Sequence, residues 1–123
     1  IIKENYLNFD YILSVPLHPS KLCQRGYNQS ELLAKHISNS LSIPYVDGLK
    51  RTKKTKKQSE RNKEERRKNL KDAFCVKASS DTIINSSVLL VDDIYTTGST
   101  VNECSKALIN YGVNKVYVIT IAR

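Results

Sequence analysis

Two adjacent carboxylates, Asp92 and Asp93, follow four apolar residues and precede a run of small, mostly hydroxylated ones in VLLVDDIYTTGST (88–100). Neighbouring carboxylates repel each other, so they need a cation, polar hydroxyls or open solvent around them. Thr96, Thr97, Ser99 and Thr100 supply hydroxyl donors, and Gly98 lets a ligand approach the backbone closely. With a strand before this loop and a helix after it, its unpaired N–H groups and the helix's positive end favour an anion, best of all a phosphate. The Gly-x-x-x-x-Gly-Lys spacing of a triphosphate-binding loop is absent, and two acids would repel a triphosphate. Asp92 and Asp93 suit instead the vicinal hydroxyls of a ribose, or a divalent metal held by oxygen ligands. A phosphate cradle beside sugar-binding carboxylates describes a ribose 5-phosphate. The competing explanation is a plain surface turn before a capped helix. It needs the apolar run, the acid pair, the hydroxyl run and the cap to share one register by coincidence.

The elements that must position this loop follow from the pattern around it. SVLLVDD (87–93) is a continuous apolar run, as expected of a central parallel strand covered on both faces. Thr100 and Glu103 have capping-box spacing, Val101, Cys104, Leu108 and Tyr111 line one helix face, and Gly112 ends that helix. KVYVITIA (115–122) is a final buried strand. Upstream, YILSVPL (11–17) reads as a short strand ending near Pro16. HPSKLCQRGY is a loop. A helix is expected from Asn28 to Ser40, with a start like a capping box at Asn28 and Glu31 and an apolar stripe of Leu32, Leu33, Ile37 and Leu41. YVDGL (45–49) and AFCV (73–76) are short strand candidates, and KASSDTIINSS is a surface connection. The alternation predicts an α/β fold with a mostly parallel central sheet and helices on both faces.

The chain has 123 residues and a formal charge of +8, unevenly placed. Residues 50–71 hold 12 Lys/Arg and 3 acids, a local +9, which leaves the rest at −1. The partner is therefore expected to be anionic and to meet that one segment. Its first half has no apolar anchor and is expected to be a mobile loop, and SERNKEERRKNL a short polar helix. By itself the charge leaves a solvated run and contact with an anionic partner both open. Aromatic stacking platforms, usual in sequence-tolerant single-strand binding, are missing from it. Cys23, Cys75 and Cys104 are far apart and His18 and His36 are not at ligand spacing to them, so zinc is not expected. The thiols read as reduced and mostly buried. No apolar run approaches a membrane span and no signal peptide is present, so a cytoplasmic single domain is expected. The lack of any Met suggests the C-terminal part of a longer chain.

VLLVDDIYTTGST resembles the phosphoribosyl-pyrophosphate (PRPP) signature of type I phosphoribosyltransferases. The resemblance implies that Asp92 and Asp93 hold the ribose hydroxyls and that Thr96, Thr97, Gly98, Ser99 and Thr100 hold the 5-phosphate. VPLHPSKLCQRGYNQSELLAKHIS (15–38) is similar to the N-terminal core motif of the ComF family of natural competence. RTKKTKKQSERNKEERRKNLKDAF (51–74), with Thr55, Gln58, Arg67, Asn69 and Phe74, and the closing VYVITIAR also fit, so the likeness spans roughly residues 11–123. Members usually carry a cysteine-rich zinc-binding segment before this domain; it is not within these 123 residues, as expected if they are the C-terminal part of a longer chain.

By the same resemblance, the loop after the first strand binds pyrophosphate, with Arg25 as main contact and Lys21, Gly26, Asn28 and Gln29 in support. The basic segment corresponds to the flexible loop that closes over PRPP, with Lys53, Lys54, Thr55, Lys56, Lys57, Gln58 and Arg67 facing substrate or DNA. Mg²⁺ is expected to be held indirectly, through Asp92, Asp93 and substrate oxygens. The implied function is PRPP binding in a competence module that handles imported single-stranded DNA beside a helicase-like partner. The alternative is transfer of ribose 5-phosphate to an unidentified acceptor: pyrophosphate leaves the anomeric carbon, and the catalytic groups would be Asp92, Asp93 and Arg25. No residue set that reads a base is apparent.

Overall fold

The computed structural model describes residues 8–17, 22–24, 26–52, 73–77, 80–94 and 99–122, with the backbone alone at 93, 94, 99, 121 and 122. Lys21, Arg25, Lys53, Lys54, Thr55, Lys56, Lys57, Gln58, Arg67, Thr96, Thr97 and Gly98 lie outside these residues.

Strand β1 (Tyr11–Ser14) pairs in parallel with β4 (Ser87–Ile94), Tyr11 opposite Val88 and Ser14 opposite Val91. On its other side β4 pairs in parallel with β5 (Lys115–Ala122), and Asp92 stands opposite Thr120. Tyr45 extends the sheet beyond β1 by a single parallel bridge to Ile12. The apolar run behaves as a strand covered on both faces must: successive side chains alternate. Val88 and Leu90 point with Leu13 into one core, and Leu89 and Val91 with Ile12 into the other. Helix α2 (Ser99–Tyr111) covers the first face and helix α1 (Gln29–Leu41) the second. The expected α/β architecture, with helices on both faces, is therefore present.

A separate antiparallel ribbon, β2 (Leu49–Arg51) with β3 (Phe74–Val76), packs against α2. It continues outward, because the Thr52 N–H donates to the Ala73 carbonyl at 2.6 Å. Leu49, Ala73 and Phe74 anchor it in the α2-side core.

Several sequence expectations are corrected. The first strand stops at Ser14, before Pro16. The strand expected over 45–49 is one bridging residue, Tyr45, followed by β2 starting at Leu49. Lys50 and Arg51, assigned to a mobile loop, belong to that ribbon. Leu32 is exposed, because it lies more than 100° around the helix from the face carrying Ser30, Ala34 and Ile37. The surface connection before β4 contains a turn of 3₁₀-helix (Asp81–Ile83) whose Ile83 is fully buried. Thr100 lies inside α2 and not at its cap, and Glu103 pairs with Lys106 at 3.3 Å. Of the thiols, Cys104 is buried, Cys75 intermediate and Cys23 exposed.

The helix ends follow from single residues. Gly112, at φ 122°, closes α2 with the double bond pattern of a Schellman turn: Gly112 N–H to the Ile109 carbonyl and Val113 N–H to the Leu108 carbonyl, both 3.0 Å. At α1 the left-handed position falls to Ser42, φ 57°.

Candidate functional site

The carboxyl ends of β1 and β4 lie side by side, and helices begin beyond both. That edge of an open parallel sheet is where ligands bind. Asp92 is half-buried there, on the last turn of the pleat, and the backbone of Asp93 continues the strand. Ser99 and Thr100 open α2, with Thr100 half-buried. This brings the acid pair and the end of the hydroxyl run to one sheet edge.

The loop after β1 ends at α1 with a defined cap. The Asn28 side-chain oxygen accepts from the Ser30 N–H at 3.0 Å. Its amide nitrogen donates to the Val15 carbonyl at 3.1 Å, just past β1. One side chain therefore ties Val15, just past β1, to the first turn of α1 and satisfies an otherwise orphaned helix N–H. Glu31 does not complete a capping box; it pairs with Lys35 at 3.0 Å one turn on. Gly26 has φ 83°, which only glycine adopts without strain, and a Cβ there would meet open space. Gln29 is exposed at the first position of α1, and His36 is exposed further along. Gly26, Asn28 and Gln29 thus all lie at the mouth of the loop.

Two contacts bear on Asp92. The Ser30 hydroxyl, on a residue only 3% exposed, donates to Asp92 Oδ1 at 3.4 Å. Below, the Cys104 thiol is pushed well up, first by burial, then by the Asp92 charge, while Arg51 pulls it down. Arg51 and Asp92 thus act on the same buried thiol. Arg51 also lies over the Phe74 ring, 5.3 Å from its centre.

A cavity of about 250 Å³ opens behind the loop, lined among others by Ser14, Leu17, Asn28, Tyr45, Arg51 and Lys77. Ser14 and Tyr45 share a hydrogen bond of 2.9 Å, and Lys77 pairs with Asp47 at 2.9 Å. Burial raises the Tyr45 phenol from 10.0 to about 12, against an opposing effect of the Ser14 bond.

Sequence reasoning missed Ser30, Arg51 and Tyr45. The first hides in a helix's opening turn, where small hydroxylated residues are commonplace. Arg51 is one of 12 cations in its segment, and nothing local distinguishes it. Among the described residues no three of His, Cys, Asp and Glu cluster closely enough to cage a metal ion. No helix among them is long and apolar enough to cross a membrane.

The family model of the phosphoribosyl transferase domain matches residues 28–123. Competence protein F of Haemophilus influenzae is 42% identical over 113 residues, 91% of this chain and 49% of that protein. The DNA utilization protein YhgH of Escherichia coli O157:H7 is 36% identical over 115 residues, 93% and 49% of the two chains. The chain thus spans about half the length of these curated relatives. Among solved structures, glutamine PRPP amidotransferase from B. subtilis, complexed with ADP and GMP, superposes with a TM-score of 0.63. The match covers 97% of this chain and 24% of that one at 18% identity, a likeness of fold alone.

Proposed function

The chain belongs to the phosphoribosyl transferase domain family, and from that premise we propose that it is a PRPP-binding module of DNA uptake that handles single-stranded DNA during transformation. The observation that carries this reading is the half-buried Asp92 at the carboxyl end of the central strand, with the Ser30 hydroxyl from the first turn of α1 directed at it. Asp92 and Asp93 take the ribose hydroxyls. Thr96 to Thr100 and the N-terminus of α2 take the 5-phosphate. Arg25, with Lys21, Gly26 and Gln29, takes the pyrophosphate, where a guanidinium's planar fork suits phosphate oxygens. Asn28, whose amide already joins Val15 to α1, sets the loop's ends.

A magnesium ion fits this donor set as a ligand of the substrate. It keeps waters and takes one or two carboxylates plus phosphate oxygens, not a dedicated cage. When bound it supplies charge neutralisation of the pyrophosphate. The chain's own contribution is to orient the ribose on Asp92 and the phosphates on the two loops.

DNA handling is supported by the segment's charge of +9 and by the names of the relatives, one a competence protein and one a DNA utilization protein. Backbone contact by counterion release matches a segment with many cations and no aromatic ring. A helicase-like partner would act beside it.

Calorimetric titration of PRPP with Mg²⁺ tests the first half. Binding is expected for the wild-type chain and is expected to vanish in Asp92→Asn/Asp93→Asn. Absence of binding by the folded wild type overturns the reading. For the second half, single-stranded oligonucleotide binding is expected to weaken steeply with salt. Changing Lys53, Lys54, Lys56 and Lys57 to Gln should abolish it, and Asp92→Asn should leave it intact.

A further inference from the structure

Ser30 is an unusual place to find a buried hydroxyl. It is the second residue of α1 and 3% exposed, on a helix whose only other buried residue is Ala34. Packing alone would be served by alanine, which also has the higher helix propensity. The hydroxyl instead reaches across to the end of the central strand and donates to Asp92 Oδ1. Its backbone N–H is held by Asn28, and Asn28 is held by Val15, whose own N–H is paired with the Val91 carbonyl at 3.0 Å. The result is a closed circuit: Val91 and Asp92 on β4, Val15 after β1, Asn28 at the end of the loop, Ser30 in α1, and back to Asp92.

We propose that Ser30 is a positioning residue for the ribose-binding Asp92 carboxylate, itself set in place by the Asn28 cap at the start of α1. This rests on the PRPP reading above. Two adjacent aspartates repel, and each would turn toward solvent unless something fixes it. A neutral hydroxyl fixes the orientation and leaves the charge in place. At 3.4 Å the contact is long for a hydroxyl–carboxylate bond.

The test compares three probes on the wild-type chain and Ser30→Ala: Mg²⁺ with PRPP, ribose 5-phosphate, and Mg²⁺ with pyrophosphate. Circular dichroism verifies that the variant folds. A positioning role predicts about tenfold weaker binding of both ribose-bearing probes, the usual weight of a hydrogen bond to a charged group, with pyrophosphate binding unchanged. In a double-mutant cycle with Asp92→Asn, the two effects on PRPP must fail to add. Equal weakening of all three probes would mean that Ser30 only anchors the helix, and overturns the inference, as does unchanged binding of all three. Failure of the wild type to bind PRPP at all removes the functional reading itself and this inference with it, so the two failures are told apart.

Discussion

The two faces of the parallel sheet carry helices of equal length, 13 residues each, yet they contribute different things. On the α2 face, Leu13, Val88 and Leu90 meet Cys104 and Leu108, all fully buried, and the β2–β3 ribbon and Ile83 close over them. On the α1 face the fully buried set is Ile12, Ala34 and Val91, and Leu33, Ile37, Ile43 and Tyr45 are only partly covered. The α2 face holds the larger share of apolar burial, so it carries more of the stability. The α1 face is thin, and what holds α1 in place includes the polar circuit at its N-terminus. A helix fastened partly by hydrogen bonds at this sheet edge fixes side-chain geometry there, which a greasy interface farther down would not do.

Paired truncations would break or sharpen this contrast most strongly. Leu108→Ala in the α2 core should cost about 2–5 kcal/mol, as large-to-small changes at fully buried sites do. Ile37→Ala on α1 should cost less, about 1 kcal/mol, because Ile37 is only partly covered. Urea unfolding of both variants measures the difference, and an equal or larger loss at Ile37 would reverse the assignment of the faces.

The helix ends give a smaller effect of opposite sign on the two sides. Gly112→Ala places a Cβ 3.2 Å from Ile84 Cγ2 at φ 122°, where side chains are strained. It should lower stability by about 1–3 kcal/mol. Ser42→Gly relieves a left-handed serine and should raise stability by up to about 1 kcal/mol. Thermal melts read both shifts. A neutral Ser42→Gly would mean that the polar C-terminal turn of α1 already offsets its strain.

The smallest expected effect is an alkaline one confined to the α1 face. The Tyr45 phenol is raised from 10.0 to about 12 by burial. Its folded form therefore holds the proton more tightly than the unfolded chain does. The stability linked to it is complete below pH 10 and is lost as the pH rises through about 12. Tyr45→Phe should flatten that part of the stability–pH curve. A curve of unchanged slope between pH 10 and 12 would place the alkaline sensitivity elsewhere.

Much of this architecture is legible in the sequence because periodicity is local information. SVLLVDD and KVYVITIA are strands in almost the expected bounds, since an unbroken apolar run suits no surface element. Val101, Cys104 and Leu108 lie on the buried face of α2 as the 3.6-residue period requires. The family resemblance is matched by relatives 31–42% identical to the chain. Errors came where spacing underdetermines the outcome. Leu32 fits an apolar stripe as well as Ile37 does, and only the position of the sheet decides which is covered. Thr100 and Glu103 have the spacing of a capping box, but the helix begins a residue earlier.

Sequence by itself determined the order of strand and helix on either side of Asp92 and Asp93. It did so because residue type and hydrophobic period are local information. Only the tertiary structure decided that Ser30, 62 residues from Asp92 along the chain, shares a hydrogen bond with it. Only there do Arg51 and Asp92 act on the same buried thiol. Such contacts depend on how α1 and the ribbon settle on the sheet, and that is set by the sum of many packing energies, none of which is written in any short stretch of residues.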